Sequence, residues 1–144
     1  MNTNYANKNA KLIHPELSYV LNGICFAVHN ELGRFAKEKQ YGDLLEEKLK
    51  ATNLAYQREH RIDDGKNILD FLIEDEIVLE IKAKRLVLKE DFYQLQRYLQ
   101  RNDKKLGLLV NFRNRYLKPI RVIKIETDAR KRFLSWFLLV LLVN

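Results

Sequence analysis

The stretch Asp70-Phe-Leu-Ile-Glu-Asp-Glu-Ile-Val-Leu-Glu80-Ile-Lys82 decides how this chain reads, because it sets charged side chains into two runs that otherwise have the composition of buried β-strand. Ile68 to Ile73 and Ile77 to Lys82 are rich in β-branched and large apolar residues, and Glu74-Asp75-Glu76 between them supplies a short polar turn. That pattern predicts a β-hairpin. Side chains alternate faces along a strand, so Val78, Glu80 and Lys82 share one face while Leu79 and Ile81 point to the other. Pairing across the turn brings Asp70 close to Glu80. Two carboxylates on one patch are hard anionic ligands that suit Mg²⁺, or Mn²⁺ in its place, with most of the ion's waters retained. Lys82 beside them is placed to orient a water molecule or to offset charge on a phosphodiester. The same pattern also fits an ordinary solvent-facing salt bridge on an antiparallel sheet, which stabilises little.

Working outward, Ala55 to Ile62 alternates toward a strand, and Asp64-Gly65 is a hairpin signal leading into the strand that carries Asp70. Before it, Leu17, Val20, Leu21, Ile24, Val28 and Leu32 recur at helical spacing; Pro15 suits the first turn of that helix and Gly33 its end. His29 lies beside this stripe and reads as a hydrogen-bonded structural histidine. A second helix is expected from about Glu38 to Ala51, with Tyr41, Leu44, Leu45 and Leu49 inward and Glu38 in the first turn, where the helix dipole favours a carboxylate. After the hairpin, a helix from about Lys89 to Arg101 turns Phe92, Leu95 and Leu99 inward. Leu106 to Phe112 then reads as a buried strand and Pro119 to Glu126 as a more exposed one. No repeat or low-complexity linker divides the chain, so one α/β domain is expected.

The order of Asp70, Glu80 and Lys82, Asp-x9-Glu-x-Lys, resembles the core signature of the PD-(D/E)XK nuclease superfamily. Ala27-Val-His-Asn-Glu-Leu-Gly33 followed by Glu38-Lys-Gln-Tyr41 is similar to the amino-terminal motif of its GxxExxY group of small bacterial proteins, and Gly107-Leu-Leu-Val-Asn-Phe112 to that group's late strand. Gln94-Leu-Gln-Arg-Tyr98 resembles the QxxxY helix of several nuclease families; the two residues, one turn apart, share a helix face. The resemblance runs from about Leu17 to Ile125 and departs at Phe35, where the motif's glycine would fall, and at Leu69, where the superfamily's name places proline. It implies a restriction-endonuclease-like α-β-β-β-α-β core with a mixed sheet flanked by helices. It also implies a metal held by Asp70, Glu80 and the carbonyl of Ile81, a water positioned by Lys82, and a site supported by Gln94, Tyr98 and Glu38. Lys84 and Arg85, at the end of the same strand, are expected phosphate contacts.

Of 144 residues, 26 are Lys or Arg and 19 Asp or Glu, giving a net charge of +7. That balance favours a polyanionic partner, because each phosphate neutralised releases counterions, and the resemblance implies that the partner is nucleic acid, DNA in particular. A lone Cys25 excludes an intramolecular disulfide framework and makes a reducing cytoplasm the default compartment. The expected organisation is a polar flexible tail over 1–14, the nuclease-like domain over 15–128, and a basic then apolar segment over 129–144. In the last, Phe133 to Val143 is too short to span a bilayer, so it reads as a docking segment, a homo-oligomer contact or a weak interfacial anchor, or else as a terminal segment packed on the domain, and no membrane role for the whole protein follows. The function expected is Mg²⁺-dependent hydrolysis of phosphodiester bonds. The rival is a non-catalytic nucleic-acid-binding or protein-interaction module on the same fold.

Overall fold

The computed structural model describes residues 14–62, 67–125 and 127–143; the Asp64-Gly65 turn and the polar residues before His14 lie outside them. Helices α1 (Pro15–Leu32) and α2 (Glu38–Lys50) precede three strands, β1 (Tyr56–Ile62), β2 (Asn67–Ile73) and β3 (Ile77–Lys82). Helix α3 (Lys89–Asn102), strands β4 (Leu106–Asn111) and β5 (Ile120–Ile123), and helix α4 (Thr127–Val143) follow. The strands form one sheet in the order β1-β2-β3-β4-β5. Its neighbours are antiparallel except β3 and β4, which run parallel, joined by the α3 crossover. The α-β-β-β-α-β core is therefore present with two helices and a strand added. The last strand is shorter than the expected Pro119 to Glu126, its ladder to β4 ending at Ile120↔Leu109 and Ile123↔Leu106.

Helices cover both sheet faces, which is why β3 and β4 are buried along nearly their whole length. On one face Leu21, Cys25 and Val28 of α1 and Tyr41, Leu45 and Leu49 of α2 pack against Phe71, Ile73, Leu79 and Ile81. On the other, Leu95, Tyr98 and Leu99 of α3 pack against Leu72, Val78 and Leu109. The alternation expected for β3 is what divides it between the two clusters. A solvent-facing ion pair on a half-exposed sheet is excluded by this arrangement, since Glu80 is only 6% exposed.

Cys25 is sealed in the first cluster, and burial pushes its thiol up to about 12. Thiolate is the reactive form. The folded protein is accordingly expected to resist alkylation by iodoacetamide at pH 8 and to react fully once unfolded in urea; rapid labelling of folded material would contradict this packing.

The β2–β3 turn carries two successive left-handed residues, Glu74 (φ 52°) and Asp75 (φ 54°), closed by the Glu76 N–H donating to the Ile73 carbonyl at 2.9 Å. Asn-Gly is the preferred pair for such a turn, because side chains other than glycine meet the backbone there at about 1–2 kcal/mol per residue. Glu74→Asn combined with Asp75→Gly is expected to stabilise the protein by roughly 1 kcal/mol, read as a higher urea midpoint with unchanged slope.

Helix α4 rests on α3 through Tyr93, whose ring meets Trp136 at 6.0 Å and Phe137 at 4.7 Å. Leu138, Leu139, Leu141 and Leu142 beyond them stay exposed. Among the described residues no helix is long and apolar enough to cross a membrane.

Candidate active site

The sheet opens where Asp70 and Glu80 meet. Regular pairing of β2 with β3 runs from Ile73↔Ile77 to Phe71↔Leu79 and stops there. Beyond that point each carboxylate takes the backbone donor of the other strand: the Asp70 N–H donates to Glu80 Oε1 at 3.1 Å, and the Ile81 N–H donates to Asp70 Oδ2 at 2.8 Å. On the other side of β2, the β1 ladder also skips one position. Arg58↔Phe71 and His60↔Leu69 flank the gap, and Glu59, opposite Asp70, is left-handed at φ 54°. Asp70 thus sits where both ladders are interrupted, and backbone strain of this kind gathers at working sites.

The electrostatics are unfavourable for two bare carboxylates. Burial, then the charge of Asp70, pushes the Glu80 carboxyl up to about 9. Burial also raises Asp70, against the pull of the Ile81 N–H and of Glu80 and Lys82. Lys82 opposes both shifts and Arg58 that of Asp70, but burial outweighs them.

Other groups expected at the site gather around it. Glu38, at the start of α2, has an exposed side chain whose carboxyl is nevertheless raised by partial desolvation and by Asp70, with Lys82 and Lys84 opposing. Tyr98 is buried on the α3 face and bonded to Gln94, the amide nitrogen donating to the phenol oxygen at 2.6 Å; burial, then Glu80, raises its hydroxyl. Lys82 Nζ lies 4.0 Å from Asp91, and Lys84 Nζ lies 2.5 Å from the same carboxylate. Lys84 is therefore held within the site's own charge network, and Arg85 beside it is exposed.

Two residues important to this geometry were not singled out in the sequence. Asp91 caps the start of α3, accepting the Leu88 N–H at 2.7 Å, while its other contacts are the two lysines. Burial pulls its carboxyl upward, but Lys84 and the Leu88 N–H outweigh that and hold it below the usual range. An acidic residue in a first helical turn was the available signal, shared with any well-capped helix. Asn111, paired with Lys82 in the parallel ladder, bonds both the N–H and the carbonyl of Lys84, at 3.2 and 2.7 Å, and so fixes the strand end that carries both lysines.

A cavity of about 590 Å³ opens beside Asp70 toward α2 and β1, lined by Glu38, Asp43, Glu46, Arg58 and Glu59 among others. Glu80 and Lys82 do not line it; the cavity reaches the carboxylate pair only through Asp70.

Among the described residues no three His, Cys, Asp or Glu side chains are drawn together as a ready cage for an ion. The donor set nevertheless suits Mg²⁺, which is commonly held by one or two carboxylates together with waters and substrate phosphate, and Asp70 and Glu80 are adjacent oxygen donors.

A mixed sheet flanked by helices on both faces, with paired carboxylates and a lysine at the parting of two central strands, defines a restriction-endonuclease-like α/β protein. The family model of the PD-(D/E)XK nuclease superfamily matches residues 15–123, and the chain belongs to that superfamily. Its members generally use divalent metals and act on nucleic acid. Among solved structures the chain is similar to "Crystal structure of SSO0001" at 20% identity over 84% of this chain and 74% of that one, with a TM-score of 0.43, a likeness too slight to argue from. No curated protein matches the chain.

Proposed function

We propose that this protein is a Mg²⁺-dependent nuclease that hydrolyses phosphodiester bonds, with DNA as the substrate. The observation that carries the reading is the reciprocal bonding of Asp70 and Glu80 across the end of the β2–β3 ladder, which holds a half-buried and a buried carboxylate, both raised by desolvation, side by side. Asp70 and Glu80, with the carbonyl of Ile81, would hold the cation. Bound there, it supplies Lewis-acid polarisation of the phosphate and eases deprotonation of water.

The chain's own groups do the rest. Lys82, on the face of Glu80, orients the attacking water and offsets charge growing on the phosphate oxygens. Tyr98 and Gln94 close the α3 side over Glu80, and Glu38 approaches Asp70 from α2. Lys84, Arg85 and the excess of basic residues hold the phosphate backbone.

Purified protein incubated with labelled single- and double-stranded DNA is expected to cleave it with Mg²⁺ or Mn²⁺ and not with EDTA. Calorimetry is expected to register uptake of the cation, lost in Asp70→Asn. Well-folded protein that takes up neither metal would overturn the proposal.

A further inference from the structure

We infer that the loop joining α1 to α2 is a stacking platform for an unpaired base, with Phe35 as its surface, so that single-stranded nucleic acid or a frayed end is the favoured substrate. This rests on the nuclease reading and adds a preference that the carboxylate site itself does not impose.

Phe35 is 76% exposed on the loop between the two helices. Its surroundings are cationic: the guanidinium carbon of Arg34 lies 4.9 Å from the ring centroid and that of Arg113 5.7 Å. Those two arginines are locked to each other, each Nε donating to the other's backbone carbonyl at 2.9 and 3.0 Å. The loop is also held from beneath. Buried Tyr41 donates its hydroxyl proton to the Gly33 carbonyl at 2.5 Å, accepts the Ala36 N–H at 3.2 Å, and stacks on Phe112 with centroids 4.4 Å apart. Gly33 turns the chain out of α1 at φ +71°, a conformation side chains rarely adopt. The ring is therefore presented on a braced loop, which lowers the ordering cost of binding.

Its position joins it to the site. Arg113 Nη2 donates to the Ala83 carbonyl at 3.4 Å, one residue beyond Lys82, and Glu38 follows Phe35 by three residues. The loop after β4 repeats the arrangement, with exposed Tyr116 5.4 Å from the guanidinium carbon of Arg115. An exposed aromatic beside guanidinium groups, on a loop tied to the strand end that carries Lys82 and Lys84, matches single-stranded nucleic acid, whose bases stack while its phosphates meet the arginines. A duplex keeps its bases stacked inside and offers such a ring no face.

The test is fluorescence anisotropy in EDTA, with a short oligo-thymidylate and a duplex of equal length, so that no turnover is needed. Phe35→Ala is expected to weaken oligo-thymidylate binding about tenfold, leaving duplex binding and the salt dependence of both unchanged. Phe35→Trp is expected to restore the affinity. Tyr19→Ala, which removes another exposed ring near the start of α1, is expected to leave it intact. Equal melting temperatures exclude misfolding, since the Phe35 ring is mostly outside the core. Wild-type affinity in Phe35→Ala, or equal loss for oligonucleotide and duplex, overturns the platform while metal-dependent cleavage still decides the nuclease reading by itself.

Discussion

Lys82→Ala is expected to lower the single-turnover rate of Mg²⁺-dependent DNA cleavage by about a thousandfold, the scale on which removing one preorganised charge or donor acts in other hydrolases. Cation uptake is expected to persist, because the ammonium stands outside the bonds that tie Asp70 to Ile81 and Glu80 to Asp70. The fold is expected to tolerate the change for a related reason. Lys82 lies 4.0 Å from Asp91, whose closer partner, Lys84 at 2.5 Å, remains after the substitution. Asp91 therefore keeps a cation, while the Asp70 and Glu80 carboxyls, which Lys82 opposes in their upward shift, rise further. Metal titration by calorimetry and cleavage measured on the same preparation separate the two roles. Cleavage within tenfold of wild type would remove Lys82 from the reaction.

Glu80→Gln is expected to abolish cleavage and at the same time to stabilise the metal-free protein at pH 8, by on the order of 2 kcal/mol. The sign follows from the raised carboxyl. Below pH 4.5, the ordinary value, folded and unfolded chains both carry the proton; between there and about 9 the folded protein keeps a proton that the unfolded chain has released. Stability therefore falls as pH rises through that window, by up to about 1.4 kcal/mol per unit from a single group. Asp70, raised as well, adds to the trend.

Glutamine removes the cost at its source. It is the same size, its carbonyl accepts the Asp70 N–H, and its amide can donate to the Asp70 carboxylate, as the protonated acid does. Urea unfolding at pH 5 and pH 8 checks this: the variant's advantage should shrink toward pH 5. Mg²⁺ should raise the midpoint of the wild-type protein alone, since a ligand stabilises only a fold that binds it. A variant less stable than wild type at pH 8 without metal would refute the account of a strained carboxylate pair.

Much of this was legible in the sequence, and the particulars explain why. The hairpin carrying Asp70, Glu80 and Lys82 spans only thirteen positions, so strand alternation and one turn suffice to bring the carboxylates together. Gln94 and Tyr98 share a helix face by the same kind of local geometry. Asp91 was out of reach, because its approach to Lys82 depends on how the α3 crossover lands on β3, and Asn111 because its bond to Lys84 depends on the parallel register of β4. Phe35 appeared in the sequence merely as a departure from a motif. Its exposure and the approach of Arg113 arise where two loops far apart in sequence meet.

The chain's order of residues by itself determined the elements from α1 to β4, the alternation of β3 and the family, because these follow from spacing that each segment carries within it; helix α4 and the short extent of β5 were not among them. Only the tertiary structure decided that Glu80 is buried and Asp70 half-buried beside it, with both carboxyls raised, since desolvation comes from helices packed on both faces of the sheet and no single segment contains them.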